Sequence, residues 1–137
     1  MKKLLVILVS TFALFSCEKQ GELTKSQSIV ISNQSVLKYS GQFTSAPNES
    51  VSGQAKIYLD ASVYKLSFVD FNASGPDLKV FLSKTSVKTS DFINLGSASS
   101  TAIYTIPTGA DLAQYKYVLI YCQQYSVLFG SAQLTSN

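Results

Sequence analysis

From Ser52 onward, apolar side chains recur at every second position in short runs separated by turn residues. In Ser52-Gly53-Gln54-Ala55-Lys56-Ile57-Tyr58-Leu59, Ala55, Ile57 and Leu59 share one face, with Gln54 and Lys56 on the other. A period of two is the pattern of a half-buried strand. Asp60-Ala61-Ser62 reads as a turn, and Tyr64, Leu66 and Phe68 alternate on the way back, which predicts a hairpin. Leu78 to Ser83 alternates again after a turn over Asn72 to Asp77. Phe92 to Gly96 and Ile103 to Pro107 are shorter runs, and Gly41-Gln42-Phe43 leads into the polar loop Thr44 to Ser50. The richest β-branched and aromatic stretch, Tyr117 to Gly130, predicts two central strands with Cys122 buried between them. Only Thr108 to Gln114 suits a single helical turn. The pattern predicts an all-β chain: one β-sandwich or jelly-roll-like domain of about eight short antiparallel strands over residues 40–137.

The beginning of the chain follows other rules. Met1-Lys2-Lys3 is basic, and Leu4 to Phe15 is almost continuously apolar. Twelve residues make a helix of about 18 Å, short of the roughly 30 Å bilayer core. A basic start, a short apolar stretch and a small residue before a cysteine describe a secretory signal peptide over residues 1–16. Its end, Leu14-Phe15-Ser16-Cys17, resembles a bacterial lipobox, although Phe15 is bulkier than that pattern usually holds. The resemblance implies cleavage before Cys17, a diacylglycerol on its sulfur and an acyl chain such as palmitate on its amine. Several chains together give stable anchoring where one would be marginal. Residues 17–39 are then a polar tether, with Ser28 to Ser32 as an optional short strand on the domain edge. The expectation is an extracytoplasmic lipoprotein anchored to a membrane of the bacterial cell envelope.

Charge and composition narrow the function by exclusion. Eleven lysines face eight acidic residues, and the chain has no arginine. The lysines are scattered, so no stripe exists to follow a phosphate backbone, and nucleic-acid binding is disfavoured. There is no histidine, and Met1 is the sole methionine. A Ser–His pair is impossible, and a zinc tetrad or an axial haem pair would need other donors. No cofactor is implied. Glu49, Asp60, Asp70, Asp77 and Asp111 all fall at turns, where such residues are expected anyway. Enzymatic chemistry is therefore not indicated.

A longer constellation carries a resemblance. It comprises Gly41-x-Phe43, Ser52-Gly53-x-Ala55-x-Ile57, Leu66-x-Phe68-x-Asp70-Phe71, Gly75-Pro76-Asp77-Leu78-x-Val80-x-Leu82, Leu95-Gly96, Tyr104-x-Ile106-Pro107, and Val118-x-Ile120-x-Cys122-x-x-Tyr125-Ser126-Val127-x-Phe129-Gly130-x-Ala132-x-Leu134. From Gly41 to Leu134 the chain resembles the DM-thirteen domain, found beside DOMON modules in animals and alone in bacterial lipoproteins. The resemblance implies a redox or electron-transfer association through the cysteine. This chain departs from the pattern at Asn48-Glu49-Ser50, where members often carry a histidine.

Three groups of side chains are candidates. With Cys17 lipidated, Cys122 lacks an intramolecular partner and is the redox candidate; sharing a face with Val118 and Ile120, it also reads as a packed core residue. Asp70, Asn72, Ser74 and Asp77 imitate the first half of a calcium loop but lack the closing bidentate glutamate, Phe81 standing in its place. Ordinary turn chemistry accounts for them as well. Tyr117, Tyr121 and Tyr125 form a candidate binding surface for a protein or glycan partner, or else cross-strand aromatic pairs. Two functional readings follow: a membrane-tethered, non-enzymatic binding or assembly module, and an accessory redox domain using Cys122 with a partner's cofactor.

Overall fold

The computed structural model describes residues 30–137. Residues 1–29, with the expected signal peptide, Cys17 and most of the expected tether, lie outside the described residues. Among the described residues there are nine strands: β1 (Val36–Ser45), β2 (Val51–Asp60), β3 (Val63–Ala73), β4 (Leu78–Ser83), β5 (Phe92–Ser97), β6 (Tyr104–Thr105), β7 (Tyr117–Cys122), β8 (Val127–Gln133) and β9 (Thr135–Ser136). All neighbours pair antiparallel, in the order β5-β4-β7-β8-β1-β2-β3-β6, with β9 beside β1. The predicted all-β class and antiparallel pairing hold. The sheet curls into a nearly closed, sandwich-like barrel, and the Tyr104 hydroxyl helps to seal it. It donates to the Ser97 carbonyl at 2.7 Å and accepts from the Ser99 amide at 2.9 Å.

β1 belongs to both halves of the sheet. On one edge Val36 to Gln42 pairs with β2; on the other, Phe43 to Ser45 pairs with β8 and Tyr39 to Ser40 with β9. The Ser45 hydroxyl turns the chain into β2, donating to the Val51 carbonyl and accepting from the Val51 amide, both at 2.9 Å. Gly130 permits the crossing, because a Cβ there would meet the Thr44 carbonyl oxygen at 2.6 Å and the Val51 Cβ at 3.1 Å. That interval lies well inside ordinary contact distance, so a side chain could enter only by pushing strands apart.

The inward faces are those of the alternation: Ala55 and Ile57 on β2, Leu66 and Phe68 on β3, Val80 and Leu82 on β4, Val118, Ile120 and Cys122 on β7. Phe43, Phe68 and Phe71 form an aromatic group, with Phe68 and Phe71 stacked at 4.5 Å and Phe43 at 5.5 Å from each. β1 opens at Val36, so the strand reaches into what the polar composition assigned to the tether; pairing of Leu37 and Tyr39 with β2 draws it in. β1, β2 and β3 are longer than expected, at 10, 10 and 11 residues, whereas the predicted run Ile103 to Pro107 shrinks to Tyr104–Thr105. The helical turn expected within Thr108 to Gln114 exists, its Tyr115 amide bonded to the Asp111 carbonyl at 2.8 Å. The β2–β3 turn places Ala61 and Ser62 at φ 47° and 70°, the left-handed pair of a type I′ turn.

Ahead of β1, residues 30–35 contain no strand; of the optional edge strand Ser28 to Ser32, positions 28 and 29 lie outside the described residues and the rest is not extended into the sheet. They are strapped down by side chains instead. The Ser32 hydroxyl donates to Asp60 at 2.6 Å and its amide to the same carboxylate at 3.2 Å. Lys65 donates to Asp60 at 2.8 Å and to the Val30 carbonyl at 2.6 Å. The hydrogen bond from Lys65, then those from Ser32, bring the Asp60 carboxyl down to about 2 from its usual 3.8.

Two outcomes follow. Because the folded value is the lower one, the strap is held fully above the unfolded carboxyl range and lost as pH falls through about 2. Amide exchange at Ser32 to Ser35, taken relative to the intrinsic rate at each pH, should therefore lose its protection between about pH 5 and 2, and Asp60→Asn should abolish that acid dependence. Gly130→Ala should destabilise the fold by about 1–3 kcal/mol in denaturant titration, since overpacking at a strand crossing has no easy relief.

Candidate functional site

Cys122 ends β7, opposite Leu78 on β4 and Val127 on β8. It is 1% exposed, and its thiol donates to the Pro76 carbonyl at 3.0 Å. The turn containing Pro76 covers it. The Gln123 amide bonds back to the Asp77 carbonyl at 3.2 Å, and Gly75 packs against the edge atoms Cζ and Cε1 of Phe129. A Cβ on Gly75 would stand 2.6 Å from that ring, so glycine is what allows the lid to close. Lys79, next to Leu78, sends its ammonium away to Asp77 at 3.0 Å and to the Ser97 hydroxyl at 3.1 Å. The thiol thus meets a carbonyl and apolar neighbours, which suits packing and gives no activation towards disulfide exchange.

The calcium-like residues are not arranged as a loop. β3 continues to Ala73, so Asp70 and Asn72 are strand residues, and their alternation is that of the strand. Asp70 sits where the register with β2 slips, opposite Gly53, with φ 50°. Such a bulge re-aims the chain rather than wrapping it round an ion. Asp70, Asn72 and Ser74 are exposed, and Asp77 is engaged by Lys79. Among the described residues, no three acidic or cysteine side chains converge as metal ligands.

The three tyrosines are dispersed. Tyr117 and Tyr121 point to the outer face of β7, opposite to the core face of Val118, Ile120 and Cys122. Tyr121 packs on Phe81 at 5.4 Å, and Phe81 packs on Phe92 at 4.5 Å. Tyr125 is 64% exposed in the β7–β8 turn, at the far end of the strand from Tyr117. The anticipated common surface is therefore divided between a covered cluster and a loop tip.

That covered cluster is what period-two reasoning misses. Alternation assigns Phe81 and Leu119 to a solvated face, yet they are 1% and 0% exposed and outside the central core. The segment between β4 and β5 packs against this side of the sheet. The Lys88 ammonium lies 4.5 Å from the Phe92 ring centre and 5.4 Å from that of Tyr121. Beside it, Lys84 pairs with Asp91 at 2.7 Å and lies 5.1 Å from the Tyr115 ring centre, while Tyr115 donates to Asp91 at 2.5 Å. The Lys84 hydrogen bond holds the Asp91 carboxyl low, and the bond to Asp91 raises the Tyr115 phenol. The signal available was the large apolar residue at the wrong parity on both β4 and β7.

A cleft of about 130 Å³ lies between the β2–β3 turn and residues 106–110, lined by Tyr64, Ile106 and Pro107 among others. Substrate pockets usually run from about 300 Å³ upward, so this cleft is small for one. Asp60, one of the acidic residues considered for general-base work, is occupied by Lys65 and Ser32.

Cys122 should resist alkylation in the native protein and react only at the rate of opening or unfolding, followed by mass spectrometry. Cys122→Ala should lower stability by about 1–3 kcal/mol, by emptying a filled site and orphaning the Pro76 carbonyl. Native alkylation as fast as that of the unfolded chain would contradict the packing described.

With the geometry in place, comparison with known proteins adds one match. The model of a family described as electron transfer DM13 matches residues 42–134. No curated protein and no solved structure matches the chain.

Proposed function

Because the chain belongs to the electron transfer DM13 family, we propose that it is an accessory domain of an electron-transfer system at the bacterial cell envelope. In this reading it is held there by lipid on Cys17 and is not an enzyme. It binds and positions a redox protein; the electron stays on that partner's cofactor. The observation that carries the reading is the setting of Cys122, 1% exposed and hydrogen-bonded to a backbone carbonyl. A thiol that exchanges electrons needs access, and in the closed fold this one is covered and bonded to a carbonyl. With no histidine and only Met1 as methionine, the chain itself has few donors for a haem or a metal.

The lipid anchor is supported by Leu14-Phe15-Ser16-Cys17 following a short apolar stretch. The partner surface best fitted is the end of the domain away from the strap, where Asn48, Glu49 and the exposed Tyr125 stand on turns. A protruding tyrosine gives contact area at small entropic cost.

One observation favours a second reading, in which Cys122 is itself the redox group. The thiol lies at the end of β7 beneath a single turn, rather than in the middle of the barrel. Opening residues 75–77 would bring it to the surface and to a partner's cofactor.

Complementation separates the two. Cells lacking the chain receive the wild type, Cys17→Ser or Cys122→Ser, and electron flow from membranes to an acceptor dye is measured. Cys122→Ser should retain its fold and restore wild-type flow. Cys17→Ser should lose the lipid mass, leave the membrane fraction and restore about tenfold less or worse, since tethering supplies the effective concentration. A folded Cys122→Ser that restores nothing would hand the function to the thiol.

A further inference from the structure

The strap decides which end of the domain the N-terminal segment leaves from. Strand directions alternate across the sheet, so the start of β1, the β2–β3 turn, the β4–β5 segment, residues 106–116 and the C-terminus all lie at one end. The loops at 46–50, 74–77 and 123–126 lie at the other. Val30, held by Lys65, belongs to the first end.

Charge divides in the same way. Of the seven lysines among the described residues, Lys38, Lys65, Lys84, Lys88 and Lys116 are at the strap end, with Asp60, Asp91 and Asp111. Asp60 and Asp91 are taken up by Lys65 and Lys84. Asp111 accepts bonds from the Ala113 amide and the Gln114 side chain in its own turn. Lys38 and Lys116 have no ion-pair partner among the described residues, and Lys116 is exposed; the Lys88 ammonium is taken up by the Phe92 and Tyr121 rings. The far end carries Glu49, Asp70 and Asp77 against Lys79. Exposed aliphatic side chains follow the lysines: Val30 at 58%, Val36 at 54% and Val87 at 53% are all at the strap end, whereas the aromatic Tyr125 is at the other.

We propose that this end is a docking face for an anionic phospholipid surface. Lys38 and Lys116 meet the headgroup phosphates, and Val36 and Val87 enter the interfacial layer. Lysine beside exposed aliphatic side chains is the composition that anionic interfaces select. The inference rests on the reading of Cys17 as the anchor. Cys17 and Val30 are thirteen positions apart, so full extension reaches at most about 45 Å, and the strap aims this end back along that chain. Docking holds the strap end against the lipid and presents Tyr125 and the 46–50 loop outward.

The test compares amide exchange of the full-length lipidated protein on vesicles of neutral phosphatidylcholine and on vesicles containing phosphatidylglycerol. The mass of the purified protein reports the lipid first, so a failure of anchoring is distinct from a failure of docking. If the mass shows no lipid, the chain is coupled through Cys17 to a maleimide lipid and compared in the same way. Exchange over Thr85 to Thr89 should slow by about fivefold or more on anionic vesicles, while Asn48 to Ser50 stays unchanged. The combined variant Lys38→Glu and Lys116→Glu should abolish the slowing without altering the far-end exchange that reports the fold. Equal exchange on both lipids, equal protection of both ends, or protection that survives the charge reversal would each overturn the proposal.

Discussion

Everything in this fold depends on β1 being paired along both edges at once. One edge registers with β2, and the other is shared between β8 and β9. Without that double pairing, the sheet would be two pieces: β2, β3 and β6 on one side, and β5, β4, β7 and β8 on the other. Each piece would have an apolar face with nothing opposite it, and neither could bury Phe43, which packs against Phe68 and Phe71 of β3 while its backbone pairs with β8. The closure at Gly130 and the Ser45 turn are what this arrangement requires sterically and in hydrogen bonds.

The same closure explains why Cys122 is quiet. Its strand is flanked on both sides, its side chain points to the shared core, and the end of the strand is capped by a turn that only glycine at position 75 lets settle. An electron-transfer family name therefore attaches to a chain whose thiol is built into the packing. What this architecture offers a partner is shape: two ends of different charge, a tyrosine at one tip, and a fixed point of departure for the N-terminal segment.

Much of the core was legible because antiparallel strands with one wet face write their burial as alternation. Ala55, Ile57, Leu66, Val118, Ile120 and Cys122 were all assignable in this way, and all are buried. Alternation fails where a second layer lands on the outer face. Phe81 and Leu119 carry that layer, and the residues that cover them come from a polar segment whose composition says loop and nothing more. The candidate site was less legible still. Asp70, Asn72 and Ser74 have the spacing of ligands, yet Asp70 and Asn72 belong to β3, and only pairing with β2 distinguishes a strand from a loop there. Tyr117, Tyr121 and Tyr125 are close in sequence, but a strand carries them from one end of the barrel to the other. The strap was hidden because its serine and aspartate are 28 positions apart.

The pairing of β1 also sets an order of assembly. Its hydroxyl at Ser40 meets the side chain of Asn137, 97 positions later, and its carbonyl at Lys38 accepts from that residue's amide. A chain made from the N-terminus produces β1 among the first strands and the partners for its second edge last. The β2–β3 hairpin cannot compensate as an early nucleus of strong turn preference, because Ala61 and Ser62 occupy conformations that Asn-Gly would favour. Until β8 and β9 arrive, β1 presents an unpaired edge, which is the form most open to misassembly with another chain. Closure is thus a late event of long reach, and ordering distant segments before they reward one another makes it a slow one.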